Sequence, residues 1–230
     1  MTQQPEATRR APLNRDRVLR AAVALADDIG IEALSMRKLA QELGVVPMAL
    51  YKHVANKEQL LDGMVEIVVG EIDPPAAGSD WKSAVRRRVL SARRALLGHA
   101  WASQVIQSRT HPAAAVLEYM DSVIGMFRLG GFSLDLTHHA MHAMGSRVLG
   151  FTQELFDDSP SLDPQVQEVA FREMAEKYPY VTELAKSVAH DGKTVVGQGC
   201  DDQFEFEFAL DLLLDGFDRL RQQGWTSAGH

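Results

Sequence analysis

Hydrophobic positions recur at helical spacing along almost the whole chain, beginning at residue 18. In the first segment the apolar residues lie three or four positions apart, which is typical of a helix with one buried face. Asn14 stands before this segment as an N-cap, and Gly30 follows it as a stop signal. The pattern predicts a first helix of about four turns. Its expected buried stripe consists of Val18, Ala22, Leu25 and Ile29.

The next segment, SMRKLAQELGVVPMALYKHVANK at residues 35–57, predicts two helices joined by a sharp turn. Ser35 is the expected N-cap of the first helix, and Gly44 ends it in the left-handed conformation that glycine adopts readily. Pro47 suits the first position of the second helix, where its missing N–H costs nothing. Together with the helix before them, these elements predict a small three-helix bundle that contains a helix-turn-helix.

Helical periodicity continues through the rest of the chain. Asn56, with Gln59 three residues later, forms a capping box for a longer helix. Asp80 and Ser133 are the expected caps of two later helices. A stretch near residues 180–200 has no clear pattern. The apolar spacing predicts helices over about 57–72, 80–97, 113–129, 133–156, 164–177 and 202–222.

The last of these segments has two apolar rows. Residues 204–208, FEFEF, alternate as in a strand, but the apolar residues after Phe206 continue at helical spacing, so a helix is predicted. Phe204, Phe208 and Leu212 form the second row, and a helix that is apolar on two faces needs burial on both. One face is expected to pack on its own chain and the other on a second subunit.

The predicted fold class is all-α, with two domains. Residues 1–13 are polar, contain proline and lack periodicity, so a disordered tail is expected there. Residues 14–62 are the predicted helix-turn-helix domain. Residues 63–225 are the predicted larger domain, for ligand binding and dimerisation. The run Asp73-Pro74-Pro75-Ala76-Ala77-Gly78-Ser79 is the expected linker that ends the 57–72 helix.

Composition narrows the class of protein. At 230 residues and 46% hydrophobic, the chain can bury one small and one larger core. No apolar run approaches the roughly 20 residues that cross a bilayer, and no segment is typical of a signal peptide. The single cysteine, Cys200, excludes an internal disulfide framework and fits a reducing compartment. A cytoplasmic protein without a cofactor is the resulting expectation.

The charge is unevenly distributed. The whole chain carries a formal net charge of −7, yet residues 1–60 hold 9 Lys and Arg against 7 Asp and Glu. Residues 61–230 hold 15 against 24. A slightly basic N-terminal region on an acidic remainder favours DNA phosphates at one end and repels them elsewhere, although ordinary surface variation explains such an imbalance about equally well.

The chemistry of the helix-turn-helix assigns roles to its side chains. Ser35 and Arg37 can donate hydrogen bonds to phosphates from the start of the first motif helix. Pro47, Met48 and Ala49 occupy the start of the second helix, where base edges are read, and can touch thymine methyl groups but offer no bidentate hydrogen bond. Tyr51, Lys52 and His53 are expected late on the second helix, and Lys57 is expected at the start of the next one. The expected DNA-binding residues are Ser35, Arg37, Pro47, Met48, Ala49, Tyr51, Lys52, His53 and Lys57. A three-helix bundle that binds no DNA is the structural alternative.

The segment from Val18 to Asp62 closely resembles the DNA-binding domain of TetR-type repressors. The likeness is densest at Arg37-Lys38-Leu39-Ala40, Gly44-Val45, Leu50-Tyr51, His53-Val54 and Asn56-Lys57. It implies contacts to the DNA backbone for Tyr51, His53 and Lys57. The family often carries Ser or Thr at the positions of Val46 and Ala49, so this chain departs from the pattern where bases are read.

The remainder of the chain resembles, more weakly, the tetracycline-binding type of C-terminal domain in that family. This likeness implies a ligand pocket lined by one face of the 133–156 helix and by neighbouring helices. It also implies that Asp73, Ile106 and Ser146 replace three pocket histidines, so drug and magnesium specificity is not expected to persist. The expected ligand-binding residues are Arg88, Trp101, His111, His138, Met141 and His142.

A cluster of histidines on the 133–156 helix offers a different interpretation. His138 and His142 lie four residues apart on one face, which is the spacing of a zinc-binding pair. Ala140 and Met141 fill the interval, however, and leave no general base of the kind that a zinc protease carries. A lining role is favoured, while a metal sensor or metal-dependent enzyme built on these histidines is kept as an alternative.

The sequence therefore predicts a homodimeric transcriptional regulator, most simply a repressor that a small, largely apolar molecule releases from a palindromic operator. Dimerisation is expected through the 133–156 and 202–222 helices, with Leu213 in the interface. A DNA-binding protein with no inducing ligand is the remaining alternative. The sequence does not identify the operator, the regulated genes or the inducer.

Overall fold

The computed structural model describes residues 12–75, 78–150, 175–188 and 202–229. Throughout these residues the regular structure is helical, without a strand, which confirms the all-α fold class. The backbone contacts divide the chain into two compact units, one ending at Gly130 and the other beginning at Gly131. No helix among the described residues combines the length and apolar character of a membrane span.

Seven helices belong to the first unit as the structure describes it. They are α1 (Arg15–Ile29), α2 (Met36–Leu43), α3 (Pro47–Leu50), α4 (Lys57–Gly70), α5 (Trp81–Gly98), α6 (Ala102–Ser108) and α7 (Ala114–Leu129). The described part of the second unit contains α8 (Leu134–Gly150), α9 (Pro179–Val188), α10 (Asp202–Gln222) and a short 3₁₀ turn, Ser227–Gly229.

Local capping sets where most of these helices begin. The Oδ1 atom of Asn14 accepts from the Arg17 N–H at 2.8 Å, and the Ser35 hydroxyl accepts from the Lys38 N–H at 3.2 Å. A cap of this kind contributes about 1 kcal/mol, because it satisfies a backbone donor that the helix itself cannot. All five predicted N-caps are confirmed: Asn14, Ser35, Asn56, Asp80 and Ser133.

Helix α1 buries a wider face than the sequence pattern predicted. Val18 and Ala22 are fully buried as expected, but Leu25 and Ile29 are only half-buried. Leu19, Val23 and Ala26 are buried in addition. The reason is that α1 packs against both α2 and α4, so its buried surface is centred between two neighbours and not on one stripe.

Helix α4 is the central element of the first unit. It packs against α1, α5, α6 and α7, and its residues from Leu60 to Val68 are buried at six positions. It ends at Gly70, two residues earlier than predicted. The helix is continuous across residue 62, where the two proposed domains meet, so the DNA-binding head (α1–α3 and the first turn of α4) shares a helix with the rest of the unit.

Two helices were not predicted from the pattern. Helix α6 lies between the predicted helices at 80–97 and 113–129, and α9 lies within the stretch described above as poorly defined. Both are short, and α6 has no side-chain N-cap that would mark its start. The predicted helix over 164–177, the last residues of the 133–156 helix and most of the N-terminal tail fall outside the described residues, apart from a helical turn at 175–177.

In the second unit α8 packs against α10. Leu136, Ala140 and Met144 are buried on α8, while Phe206 and Leu210 are buried on α10, which confirms that residues 204–208 are helical. Leu214 and Phe217 complete the buried row of α10. The guanidinium of Arg147 donates to the carbonyl of Glu205 at 2.9 Å and so connects the two helices.

Candidate DNA-binding surface and ligand site

The turn between α2 and α3 has the geometry of a helix-turn-helix. Gly44 adopts the left-handed conformation, with φ +66°, which an L side chain would strain. The N–H of Val45 then donates to the carbonyl of Ala40 at 2.9 Å, closing the end of α2. Leu39 and Leu50 are fully buried, so the two helices are joined through apolar side chains, while Arg37 and Lys38 on α2 remain exposed.

The structure leaves every predicted DNA-binding residue accessible. All nine lie in the first unit, at the start of α2, in or just after α3, or at the start of α4. Ala49 and His53 are half-buried, and the other seven are exposed. The side chains that can donate hydrogen bonds or carry positive charge are Ser35, Arg37, Tyr51, Lys52, His53 and Lys57.

Helix α3 is shorter than the sequence analysis expected. Its α-helical part ends at Leu50, and both the His53 and Val54 N–H groups donate to the Leu50 carbonyl, at 2.8 and 3.0 Å. Tyr51, Lys52 and His53 therefore lie in a turn after the helix and not late on it. The residue before α3, Val46, has a side chain that cannot cap the start of the helix.

The exposed start of α3 is apolar. Val46 and Met48 have 68% and 71% of their surface accessible, and Pro47 between them is exposed too. These side chains offer methyl and methylene groups but no hydrogen-bond donor or acceptor of useful strength. Large apolar side chains left in water at the tip of such a motif fit contact with thymine methyl groups, which are the apolar feature of the major groove.

The first turn of α4 is fixed by a modified capping box. The Asn56 side chain accepts from the Gln59 N–H at 2.8 Å, as expected. The Gln59 side chain reaches back to the N–H of Ala55, at 2.5 Å, and not to that of Asn56. Lys57, the first residue of α4, is thereby held at a defined position with its side chain exposed.

Polar contacts tie α6 and its flanks to the head. The indole N–H of Trp101 donates to Asp27 on α1 at 2.7 Å. The Gln104 amide donates to Glu32 at 3.0 Å. On the other side of α6, the Arg109 guanidinium pairs with Asp62 on α4 at 2.9 Å and also with Glu58. No local sequence signal predicts these contacts, because each joins residues about fifty to seventy positions apart.

His99, which caps the end of α5, is a functional candidate that the sequence analysis missed. Its Nδ1 atom lies 2.9 Å from an oxygen of Asp27, and its Nε2 atom lies 3.2 Å from an oxygen of Glu71. Burial lowers the pKa of the imidazole, but the hydrogen bonds and charges of the two carboxylates outweigh burial, so the pKa is raised above its ordinary value of 6.5.

Arg88 is anchored at the start of the interhelical linker. Its guanidinium donates to the backbone carbonyl of Asp73 and lies 4.9 Å above the ring of Tyr119 on α7. Burial raises the pKa of Tyr119 to about 12, against the opposing effect of the Arg88 charge. A small cleft of about 110 Å³ lies beside Arg88 and is lined by Asp73, Pro74, Pro75, Ala84 and Arg87.

The other predicted ligand-binding residues of the first unit are arranged differently. Trp101 is only 5% exposed, and Asp27 already accepts from its one polar hydrogen, so its side chain connects elements of the fold. His111 is exposed in the loop between α6 and α7. Within this unit, Arg88 is therefore the member of the predicted lining that adjoins a cleft.

In the second unit the predicted histidines do share one face. The rings of His138 and His142 lie 4.6 Å apart between centroids and are perpendicular, and both side chains are exposed. Met141 beside them is half-buried. The ring of His139 lies 5.2 Å from that of His138 and 5.4 Å from that of Trp225, between centroids.

The described residues give no support to a metal centre at these histidines. Among them no group of three or more His, Cys, Asp or Glu side chains is placed to hold a metal ion. Asp73, which stands where the resemblance implied a drug-binding histidine, pairs with Arg94 at 2.7 Å, and its backbone N–H donates to the Ser91 hydroxyl at 2.8 Å. The departure from the tetracycline type is thus visible in the contacts as well as in the sequence.

The start of the linker is held through Asp73, whose backbone N–H donates to the Ser91 hydroxyl. The Asp73 carboxylate is used by Arg94. The Arg94 and Ser91 hydrogen bonds hold the pKa of Asp73 below its ordinary value. The start of the linker is therefore fastened to α5 through both its backbone and its side chain.

Comparison with known proteins agrees with this geometry. Residues 18–64 match the family described as bacterial regulatory proteins of the tetR family. Residues 74–221 match the tetracyclin repressor-like C-terminal domain. The two matches together span the helix-turn-helix, the helical remainder of the first unit and most of the second.

Individual relatives cover most of the chain. It is 30% identical over 215 residues to the class C tetracycline repressor of Escherichia coli, across 91% of this chain and 92% of the relative. It is 37% identical over 155 residues to the class D repressor of Escherichia coli, across 66% and 71%. Among solved structures, the Streptomyces coelicolor TetR family protein ActR in complex with actinorhodin is 26% identical, with a TM-score of 0.67 over 90% of this chain and 97% of that one. The chain belongs to the TetR family and is a DNA-binding transcriptional regulator, not an enzyme.

Proposed function

We propose that this protein is a homodimeric repressor that binds a palindromic operator and is released from it by a small, largely apolar molecule. The observation that carries the proposal is the α2–α3 motif, which presents cationic side chains outward while α4 and α6 connect it to a helical body. The relatives named as tetracycline repressors support the same function. Because its target is DNA, the cytoplasm is the proposed location.

The proposed DNA contacts fall into two groups. Ser35, Arg37, Tyr51, His53 and Lys57 contact phosphates, which position the motif without reading sequence. Pro47, Met48 and Ala49 enter the major groove, and Lys52 beside them can donate to a base or a phosphate. Since the apolar group forms no hydrogen bonds with bases, part of the specificity comes from the shape and deformability of the operator.

The first test recovers the operator and then removes one phosphate contact. Genomic fragments bound by the protein should share a palindrome whose half-sites are about one DNA turn, ~34 Å, apart. Lys57→Ala should weaken binding to that palindrome and to unrelated DNA alike, by about 1–3 kcal/mol, and lower the slope of affinity against salt concentration by roughly one. Fluorescence anisotropy over a range of salt concentrations measures both quantities.

Lys177→Ala is the matched control, because Lys177 is an exposed lysine of the second unit that lies 5.3 Å from the Tyr178 ring and takes no part in the proposed contacts. This variant should keep the affinity and the salt slope of the unchanged protein. If Lys57→Ala kept them as well, the proposed docking of α4 on the phosphate backbone would be wrong.

We further propose that the predicted lining residues bind a mostly apolar ligand in pockets within their own units, with Arg88 as an orienting polar group in the first unit and His138 and His142 in the second. Such pockets hold few polar groups, which fix the orientation of the ligand. The cleft beside Arg88 and the edge-to-face pair of His138 and His142 support this assignment within their own units. Actinorhodin, which is bound to ActR in the similar structure named above, gives a first probe.

A ligand releases DNA only if it binds the non-DNA conformation more tightly. A tenfold loss of operator affinity requires about 1.4 kcal/mol of differential binding. We propose that helix α4 transmits ligand binding to the head, because its first residue is Lys57 and its other end, near Val68, is buried among the helices of the body. A small tilt of α4 changes the separation of two recognition helices and so disturbs both half-sites together.

His142→Ala tests the pocket. With a panel of drugs and pigments that includes minocycline and actinorhodin, the unchanged protein should be released from its operator by at least one compound. His142→Ala should require more of that compound, yet bind operator normally in its absence. Loss of operator binding without any compound would show that His142 is structural. A panel that releases nothing would favour the alternative of a DNA-binding protein without an inducing ligand.

A further inference from the structure

His99 lies at a junction of three elements in the first unit. It follows the last residue of α5, while Asp27 belongs to the final turn of α1 and Glu71 caps the end of α4. Its side chain is only 12% exposed. One imidazole ring thus connects α1, the first helix of the head, to the C-terminal end of α4, over distances of 2.9 and 3.2 Å.

This arrangement requires a charged imidazole. A neutral histidine donates a hydrogen bond from one ring nitrogen only, and the other nitrogen presents a lone pair. Here both nitrogens face carboxylate oxygens, so a neutral ring would place a lone pair against a negative charge. The imidazolium donates from both nitrogens, and charge-assisted hydrogen bonds of this kind are about twice as strong as neutral ones.

The groups around His99 favour its charged form, with Arg20 as the exception. Asp27 faces it from α1 and Glu71 faces it from α4. Trp101, whose ring centroid lies 5.9 Å from that of His99, donates its indole N–H to the same Asp27 and keeps that carboxylate in place. Arg20 on α1 is near enough to interact with Glu71, but its guanidinium hydrogen-bonds to Asp16 at 2.9 Å.

We propose that protonated His99 is a positioning residue that holds the end of α4 against α1, and that operator binding weakens when alkaline conditions remove its proton. The effect on DNA rests on the proposed function. Its physical basis is preorganisation: a dimer fits two half-sites at once only if each head keeps one orientation on its α4. Without the imidazolium, the two carboxylates lose their common partner, and the head can adopt more than one orientation on α4. Operator binding must then restrict the head to one orientation, which lowers the affinity.

The direction of the pH effect follows from the raised pKa. A group whose pKa is higher in the folded protein stabilises the fold fully below its ordinary value, here 6.5, and ceases to do so as the pH rises through the higher value. Stability and operator affinity should therefore both decline over the same interval above pH 6.5.

The first experiment measures the proton directly. In an NMR titration of the imidazole signals, His99 should titrate above 6.5, and Asp27→Asn should move its midpoint to lower pH, since it removes one negative charge and keeps the size of the side chain. His139, which is half-exposed and faces the single carboxylate of Asp135 at 3.6 Å, provides an internal comparison. A His99 midpoint at or below 6.5, or one that Asp27→Asn left unchanged, would overturn the proposal.

The second experiment measures operator affinity at pH 6 and pH 8 for the unchanged protein, His99→Gln and His139→Gln. From pH 6 to pH 8, the dissociation constant of the unchanged protein should rise about threefold or more beyond any rise in His99→Gln. His139→Gln should behave as the unchanged protein does. His53 is present on the proposed DNA-binding surface of all three proteins, so its contribution is common to them.

The outcomes separate this proposal from the proposed function. If all three proteins bind the operator with the same dependence on pH, the function stands and the role of His99 is wrong. If the unchanged protein does not bind an operator at pH 6, the proposed function fails and this inference with it. Should His99→Gln fail to fold, Glu71→Gln replaces it, because it removes the second carboxylate and should likewise reduce the pH dependence.

Discussion

The proposed contact with DNA bases depends on single side chains at the tip of α3. Val46 and Met48 are large, apolar and mostly exposed, and Pro47 lies between them. Leaving such side chains in water has no benefit for folding, whereas a thymine methyl group gives them an apolar partner. The sequence alone suggested this role, and the structure adds that the side chains are accessible.

Replacing thymine by uracil in the operator half-site removes one methyl group and nothing else. Where Met48 meets that base, the change should weaken binding by about 0.8 kcal/mol, the value for one buried methylene-sized group. Met48→Ala should lose most of this sensitivity to the methyl group. The loss of binding free energy when both changes are made should therefore be smaller than the sum of the two separate losses. Anisotropy titrations with the four combinations measure the coupling. Equal affinity for thymine and uracil operators at every position would exclude methyl readout.

At the scale of elements, local sequence signals determined where the helices end, and tertiary contacts determined which helix faces are buried. The five predicted caps and the left-handed Gly44 each involve residues at most four positions apart, so the sequence pattern was sufficient. Helix α6 lacks such a signal and was missed. The buried face of α1 was predicted only in part because it depends on two neighbouring helices that the local pattern does not specify.

The close packing of α5 on the end of α7 gives a prediction at this scale. A Cβ atom on Gly130 would lie 2.5 Å from the Cγ atom of Trp81, inside contact distance and against a rigid ring. Gly130→Ala should therefore destabilise the protein by about 1–3 kcal/mol. Urea denaturation measures the change.

Gly125 in the same helix provides the matched control. A Cβ atom there would meet nothing within 4 Å. Gly125→Ala should leave stability unchanged or raise it by up to about 1 kcal/mol, because alanine favours the helix. The test is whether the free energy of unfolding falls for Gly130→Ala and stays unchanged or rises for Gly125→Ala. A Gly130→Ala protein as stable as the unchanged one would mean that Trp81 does not pack as described.

For the whole molecule, the exposed row of α10 locates the proposed dimer interface. Phe204, Phe208 and Leu212 are 62%, 54% and 57% exposed within the subunit, whereas Leu214 is fully buried. Leu213, which the sequence analysis assigned to the interface, is half-buried. Leu212 is thus the better position at which to disturb association, because its side chain contributes less to the subunit's own core.

Leu212→Glu should shift the protein from dimer to monomer in sedimentation experiments while preserving its helical content. Operator affinity should fall sharply, since a monomer contacts one half-site only. Leu129→Glu changes an exposed leucine of α7 and should leave the dimer intact. Should Leu212→Glu remain a dimer at the same concentrations, the proposed interface lies elsewhere.

By itself the sequence determined the all-α class, the helix-turn-helix with its exposed cationic and apolar residues, and most helix ends. These features depend on periodicity and on contacts within one or two turns, which a linear sequence displays. Only the tertiary structure decided the place of α6, the orientation of α1 and the partners of His99. That residue had no local signal, because Asp27 lies 72 positions away and Glu71 lies 28, and only packing in three dimensions brings them together.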